Sequence, residues 1–305
     1  MMDTRVSFGG VLRRGRPWYA EWFEHPLGKE LGPALVRHAV ELVELARGAD
    51  EEIRTQLLEV VLASLVAQQH GSTRIPAPDN LVDLADSGQV SDLLSLDPTQ
   101  YRPLLATDGW LYHQRTFHYE QELARLLHCR MGRELVAHDA LSIALDDVCS
   151  NPTKLRDGTP VLLSDEQRAA VQVAALRPLS VITGGPGTGK TSIVVSLLRL
   201  LVRLGVPPER IVLAAPTGKA ANRLGESIET QLTSLEAHEA DTLLREQRTS
   251  PSTLHRLLKY SGARGRFLRD ESDPIDADWV IVDEASMIDL VLMERLVRCV
   301  AEPSN

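Results

Sequence analysis

Gly184-Gly185-Pro186-Gly187-Thr188-Gly189-Lys190-Thr191 is the stretch whose reading decides this chain. An apolar run, Leu179 to Thr183, leads into it, and a longer one, Ile193 to Leu204, leads out. That order predicts strand, glycine loop, helix. The spacing G-x-x-x-x-G-K-[ST] lets a backbone close around phosphate. Glycines bring main-chain N–H groups within reach of phosphate oxygens. The helix N-terminus adds a positive dipole end. In such a loop Lys190 bridges the β- and γ-phosphates of ATP, and the Thr191 hydroxyl holds Mg²⁺. The candidate nucleotide cradle is Gly184, Gly185, Pro186, Gly187, Thr188, Gly189, Lys190 and Thr191, with Ser192 beside it. A plain glycine-rich turn leaves the terminal Lys-Thr pair without a use.

Downstream, Val280-Ile281-Val282-Asp283-Glu284-Ala285-Ser286 carries the second signal. A β-branched apolar strand ends there in two adjacent carboxylates, the Walker B arrangement of P-loop NTPases. Asp283 is the candidate Mg²⁺ ligand, and Glu284 the candidate that orients and polarises the attacking water. With Lys190 they form the candidate catalytic set. A solvated turn is the bland alternative, and the buried-type strand ahead of it argues against that.

Three weaker segments surround these two. Leu163-Ser164-Asp165-Glu166-Gln167 fits a capping box, with Ser164 as cap and Gln167 three residues on. Gln167 equally fits an adenine reader, through its amide donor and acceptor. Ala214-Ala215-Pro216-Thr217-Gly218-Lys219-Ala220-Ala221 ends a strand and opens a helix, so Thr217 sits where a phosphate or an ordinary cap is suited. Ser252-Thr253-Leu254-His255-Arg256-Leu257-Leu258 reads as a capped helix with a basic outer face. Arg264, Arg266 and Arg269 surround Phe267, which suits either a base-stacking patch or a surface loop.

The rest of the chain divides around Ser150–Pro160, which is rich in turn residues and poor in apolar ones. This sets a region 1–150, a linker 151–163 and a region 164–305. In the first, residues 1 to about 30 are irregular, with Gly9-Gly10, Gly15 and the aromatics Trp18, Tyr19, Trp22 and Phe23. Helices are predicted over about 32–47 and 50–69 from apolar spacing, followed by a loop over 70–78. Short helices follow at 81–86 and 90–94, extended segments at Leu104-Leu105 and Trp110-Tyr112, and helices over 115–131 and 139–148. In the second, strands near 179–183, 211–215 and 279–283 alternate with helices near 164–176, 191–204, 218–236, 253–260 and 288–300. Glu226 to Arg248 reads as solvated helix and loop. A βαβ order implies a parallel sheet, with ligands at the carboxyl ends of its strands.

Bulk properties narrow the class. The chain has 305 residues, 43% hydrophobic, with net charge −9, enough apolar material for two cores. The charge argues against a polybasic nucleic-acid binder and leaves a local basic channel open. Cys129, Cys149 and Cys299 form no C-x-x-C pair, so neither a zinc site nor a disulfide framework is expected. No apolar run reaches membrane-spanning length, and Met1–Arg5 opens no signal segment. A cytoplasmic protein is expected.

Taken together, the segments at 184–191, 215–221, 252–258 and 282–289 resemble the RecD-like family of superfamily-1 DNA helicases, subunits of exodeoxyribonuclease V. A weaker likeness covers Leu111-Tyr112 and Tyr119-Glu120 through Leu123-Ala124. The resemblance implies an α/β fold with a RecA-like parallel sheet, incomplete here, after a mainly helical amino-terminal domain. It implies ATP-driven 5′→3′ movement on single-stranded DNA, and assembly with RecB-like and RecC-like subunits, the amino-terminal domain docking on the latter. It makes Gln167 the adenine reader, and Thr217, Lys219 and His255 the DNA contacts. The chain departs from the family by stopping at Asn305: a family motor needs a Gly-Asp…Gln segment and a second motor domain with its arginine, neither is within residues 1–305, and a fragment and a truncated reading frame are both open readings. Loss of such an arginine costs about 10³–10⁵ in rate. A truncated adaptor that docks without turnover, a stand-alone RecD-like helicase and a different P-loop NTPase are the competing readings. The segments at 217–221 and 252–258 argue against the last.

Overall fold

The computed structural model describes residues 17–131, 138–154, 158–233, 235, 239–247 and 250–301. The expectations for Gly9-Gly10, Gly15 and Met1–Arg5 fall outside them. The chain forms two compact units, 1–120 and 121–305.

In the first unit, helices α1 (Pro26–Leu31) and α2 (Pro33–Val43) each begin with proline in the first turn, where its missing N–H costs nothing. Helix α3 (Glu51–Gln69) is capped by Asp50, whose carboxylate accepts from the Ile53 N–H at 2.9 Å. Val36, Ala39, Val40 and Val43 of α2 share one core with Leu57, Leu58, Val61, Leu62 and Leu65 of α3. After β1 (Arg74–Pro76) and α4 (Asn80–Asp86) come β2 (Leu94–Ser95), β3 (Leu104–Thr107) and β4 (Trp110–His113).

These strands make a sheet of order β1-β4-β3-β2. Strands β3 and β4 are joined by Asp108 and Gly109, both at positive φ (51° and 76°), as a two-residue hairpin turn of type I′ requires. Two expectations are corrected. Residues 74–76 are a strand paired with β4 rather than loop. Val90–Leu94 is a turn entering β2 rather than a helix, because Leu94 and Ser95 pair with Leu104 and Leu105.

The division falls within α5 (Gln114–His128), and α6 (His138–Ser150) belongs to the second unit. There Leu141, Ala144, Leu145 and Val148 of α6 pack in one core with α7 (Asp165–Leu176), α8 (Lys190–Arg203) and α9 (Gly218–Thr233). That shared core, rather than the turn-rich stretch at 150–160, sets which residues belong to this unit.

Strand β5 (Ile211–Ala215) is central, with α10 (Glu239–Glu246), β6 (Ser252–Thr253), α11 (Leu254–Leu257), β7 (Tyr260–Ser261), β8 (Arg266–Phe267), β9 (Trp279–Val282) and α12 (Leu290–Cys299) completing the order. Strands β6, β5 and β9 run parallel, with Leu213 opposite Ile281 and Ala215 opposite Thr253. Alternation decides the faces. Ile211, Leu213, Trp279 and Ile281 meet the α6–α9 core, while Val212, Ala214, Val280 and Val282 meet Leu254, Leu258, Leu292 and Leu296. Helices on both faces make this an α/β unit with a partial parallel sheet.

The strand expected at 179–183 is absent as such. The segment has no ladder partner among the described residues, and its Val181 is 81% exposed. Of its apolar residues only Ile182 is partly buried, against the core that takes Trp279 and Ile281. The Glu-rich stretch is not wholly solvated either: Asp241 and Leu244 of α10 are buried.

Candidate nucleotide and DNA site

The glycine loop has the backbone its sequence asks for. Gly187 and Gly189 sit at φ 75° and 80°, in the left-handed region that side chains resist. A Cβ on Gly189 would also lie 2.5 Å from Gln167 Nε2. Gly189 caps α8, so Lys190, Thr191 and Ser192 occupy its first turn, where unpaired N–H groups and the dipole favour an anion. The Thr188 hydroxyl donates to the Gly185 carbonyl at 2.9 Å. Lys190 Nζ donates to the carbonyls of Gly184 (2.9 Å) and Gly185 (2.8 Å). Its ammonium thus rests inside the curve of the loop.

Gln167 fulfils the capping box and does more. Its Oε1 accepts from the Ser164 N–H at 2.9 Å, and the Ser164 hydroxyl accepts from its N–H at 3.3 Å. Its Nε2 donates to the Thr188 carbonyl at 2.8 Å. The side chain therefore staples α7 to the phosphate loop, and a purine edge would have to take over one of these bonds.

At the other end of the site the Asp283 N–H continues the β-ladder, donating to Ala214 O at 3.0 Å. The Asp283 carboxylate accepts from the Glu284 N–H at 2.9 Å. Glu284 is exposed and left-handed at φ 54°, a conformation of the kind concentrated at functional sites, where it costs about 1–3 kcal/mol. Asp289 then caps α12, accepting from the Leu292 N–H at 2.8 Å. Among the described residues no group of three or more His, Cys, Asp or Glu is arranged for a metal. The Thr191 hydroxyl and Asp283 carboxylate are the sparse donor pair that suits Mg²⁺ when phosphates and water complete the shell.

The three parallel strands end at the same edge. β5 leads to Thr217, β6 to the Thr253 cap of α11, and β9 to Asp283. Thr217 is exposed, and its hydroxyl accepts from the Ala220 N–H at 3.2 Å, an ordinary cap contact. Lys219 is exposed on the next turn. His255 is exposed on α11, with its ring 5.3 Å from Tyr260 and 5.5 Å from Phe267. The basic loop is thus a small β7–β8 hairpin whose aromatics gather on His255. Tyr260, 45% exposed, was not singled out from the sequence. Its signal was an aromatic beside Lys259 and seven residues before Phe267.

The second unit also holds a buried ion network. Arg199 and Asp241, each 1% exposed, pair at 2.9 Å. Arg203 joins Asp241 and reaches Asp147 at 2.5 Å. Burial would raise the Asp241 carboxyl, but hydrogen bonds from Arg203 and Arg199 outweigh it and hold it down to about 2. Both arginines stand on α8, so the helix that opens at Lys190 is pinned about two and a half to three and a half turns further on.

Comparison with known proteins places the chain. A family described as "AAA domain" matches residues 167–305. The RecBCD enzyme subunit RecD of Mycolicibacterium smegmatis is 34% identical over 280 residues, 88% of this chain and 48% of that protein. The chain belongs to the RecD-like family. The Haemophilus influenzae RecBCD enzyme subunit RecD is 34% identical over 206 residues, 66% of this chain and 31% of that protein. The ATP-dependent RecD2 DNA helicase of Deinococcus radiodurans is 36% identical over 193 residues, 63% of this chain and 22% of that protein. This RecD-like chain spans about half the length of the curated Mycolicibacterium smegmatis and Mycobacterium tuberculosis relatives it matches. No helix among its described residues is long and apolar enough to cross a membrane.

Proposed function

We propose that this chain is the ATP-binding portion of a RecD-like 5′→3′ DNA helicase subunit, working in a RecBCD-type exodeoxyribonuclease V in double-strand break repair and recombination. The observation that carries the reading is the carboxyl edge of the sheet. Asp283 and Glu284 follow the end of β9, Thr217 follows the end of the adjacent β5, and Thr253 ends β6 on the far side of β5, in a unit that also holds the Gly184–Thr191 loop. One strand edge thus offers metal-directed carboxylates and, next to them, helix starts suited to a nucleic-acid phosphate.

In this reading the loop N–H groups and Lys190 bind the β- and γ-phosphates of ATP. Thr191 and Asp283 hold Mg²⁺, which neutralises charge on the phosphate oxygens. Glu284 orients water, and its exposed, left-handed position leaves both carboxylate oxygens free of the ladder. Gln167 exchanges its bond to Thr188 for one to adenine. Thr217, Lys219 and His255 meet single-stranded DNA. Residues 1–150 dock on a RecC-like partner, with a RecB-like subunit completing a cytoplasmic assembly.

The test uses the full 305-residue chain. It should bind a fluorescent ATP analogue weakly and only with Mg²⁺, with little DNA-stimulated hydrolysis. Efficient unwinding by this chain alone, or analogue binding unchanged in Lys190→Ala, would overturn the assignment. A docking-only adaptor remains the second reading. It is favoured if the chain joins RecB- and RecC-like partners while a longer protein containing it shows no turnover.

A further inference from the structure

Behind α7 the second unit encloses a cavity of about 250 Å³, near the lower end of the roughly 300–1,000 Å³ typical of small-molecule sites. Cys149, Thr153, Leu163, Asp165, Arg168 and Ser196 line it. It is not the phosphate loop's own pocket. Helical geometry sets Gln167 about 130° around α7 from the midpoint of Asp165 and Arg168, and Gln167 is the residue that reaches Thr188. The cavity therefore lies against a different face of the helix.

Two features of its lining point to an occupant. Ser196 is only 8% exposed, yet its hydroxyl has no hydrogen-bond partner among the described residues. The little surface it keeps opens onto the cavity, where a ligand's hydrogen bond can reach it. Cys149, partly buried against the core, presents a thiol in the same wall, within electrostatic reach of Arg168.

The charges decide the ligand's sign. Arg199 is spent on Asp241, Val148 O and Asn151 O, and Arg168 on Asp146. Each guanidinium is thus charge-paired with a carboxylate, and the exposed Asp165 adds a further negative charge at the rim.

We propose that this cavity is a capture site for small disulfides with neutral or cationic arms, of the aminothiol type, held as a mixed disulfide on Cys149. The Cys149 thiolate attacks one sulfur of the disulfide. That S–S bond breaks, the new one joins Cys149 to one half, and the other half leaves as thiolate. It then takes up the proton that the Cys149 thiol gave up, so no further oxidant is needed. The retained arm fills the cavity and hydrogen-bonds Ser196. The exchange does not depend on the nucleotide reading above.

The experiment equilibrates the full chain with cystamine and cysteamine and reads occupancy at each cysteine by peptide mass spectrometry. Cys129, which is exposed, is the internal control, and the fully buried Cys299 should stay unmodified. The equilibrium constant at Cys149 should exceed that at Cys129 about tenfold, as one or two added hydrogen bonds would give. Ser196→Ala should lower the Cys149 value about three- to tenfold and leave Cys129 alone. Equal constants at the two cysteines, or no effect of Ser196→Ala, would overturn the proposal. A further measurement needs no variant: the acidic disulfide 3,3′-dithiodipropionate should be disfavoured relative to cystamine at Cys149 more than at Cys129. No such difference also overturns it.

Discussion

Strand β9 carries Asp283 and Glu284 at the end of a ladder, while the segment 179–183 carries the phosphate loop without one. β9 pairs with β5 along four residues, and the Asp283 N–H extends the pairing to Ala214. The loop is held from its far side. Gln167 staples it to α7, and the Arg199–Asp241–Arg203 network pins α8 within the core. The two halves of one site thus rest on different physics, main-chain pairing for the carboxylates and helix anchoring for the phosphate cradle. Strand-like composition does not make a strand; a neighbour does.

The largest expected effect tests the helix anchor. Asp241→Ala leaves two buried guanidiniums without their shared carboxylate and should cost about 3–5 kcal/mol, read by urea unfolding. A loss under about 1 kcal/mol would show that the network carries little of the support assigned to it.

Lys190→Ala separates chemistry from support. Its ammonium hydrogen-bonds only two exposed loop carbonyls, so the unfolding midpoint should not move. In a longer protein that hydrolyses ATP, turnover should fall on the order of 10²–10³-fold, as for loss of one preorganised cationic donor. A shifted midpoint would mean the lysine also braces the loop.

Acid addresses the other unit and serves as the control. Burial, with a smaller contribution from His38, pushes His113 down to about 4, and its Nε2 lies 2.8 Å from Ser64 Oγ. The unfolded chain takes up the proton near pH 6.5, the folded chain only near 4. Stability is therefore full above that upper value and declines as pH falls toward the lower, by about 3 kcal/mol. Hydrogen exchange should place this loss in residues 17–120 and spare β5 and β9. His113→Gln should flatten it.

The smallest effect compares the two segments directly. Ile281→Ala, in the paired strand, should cost about 2 kcal/mol, and Ile182→Ala, in the unpaired one, under about 1. Equal costs would mean that 179–183 is held as firmly as a strand.

Much of the site was legible because its residues act through backbone shape and local spacing. Gly187 and Gly189 announce a tight backbone turn, Lys190-Thr191 announce a helix start, and Val280–Glu284 announce a strand with a polar end, although β9 is half-buried rather than buried. Helices α2, α3, α8 and α12 followed from apolar spacing and α7 from its Ser164 capping box, while the caps at Asp50 and Asp289 came only with the structure. The type I′ turn at Asp108-Gly109 was visible only as a break between two extended pieces.

What the chain order alone determined, then, was the phosphate loop, the carboxylate pair and the α/β alternation around them, all set by interactions within a few residues. Only the tertiary structure decided that 179–183 stays unpaired, that Gln167 both caps α7 and grips Thr188, and that α6 joins the second unit. It also decided that Asp241, in a stretch that reads as solvated, is buried between two arginines of α8. Each of these depends on which distant segment supplies a ladder, a core or a counter-charge, and local spacing carries no record of that.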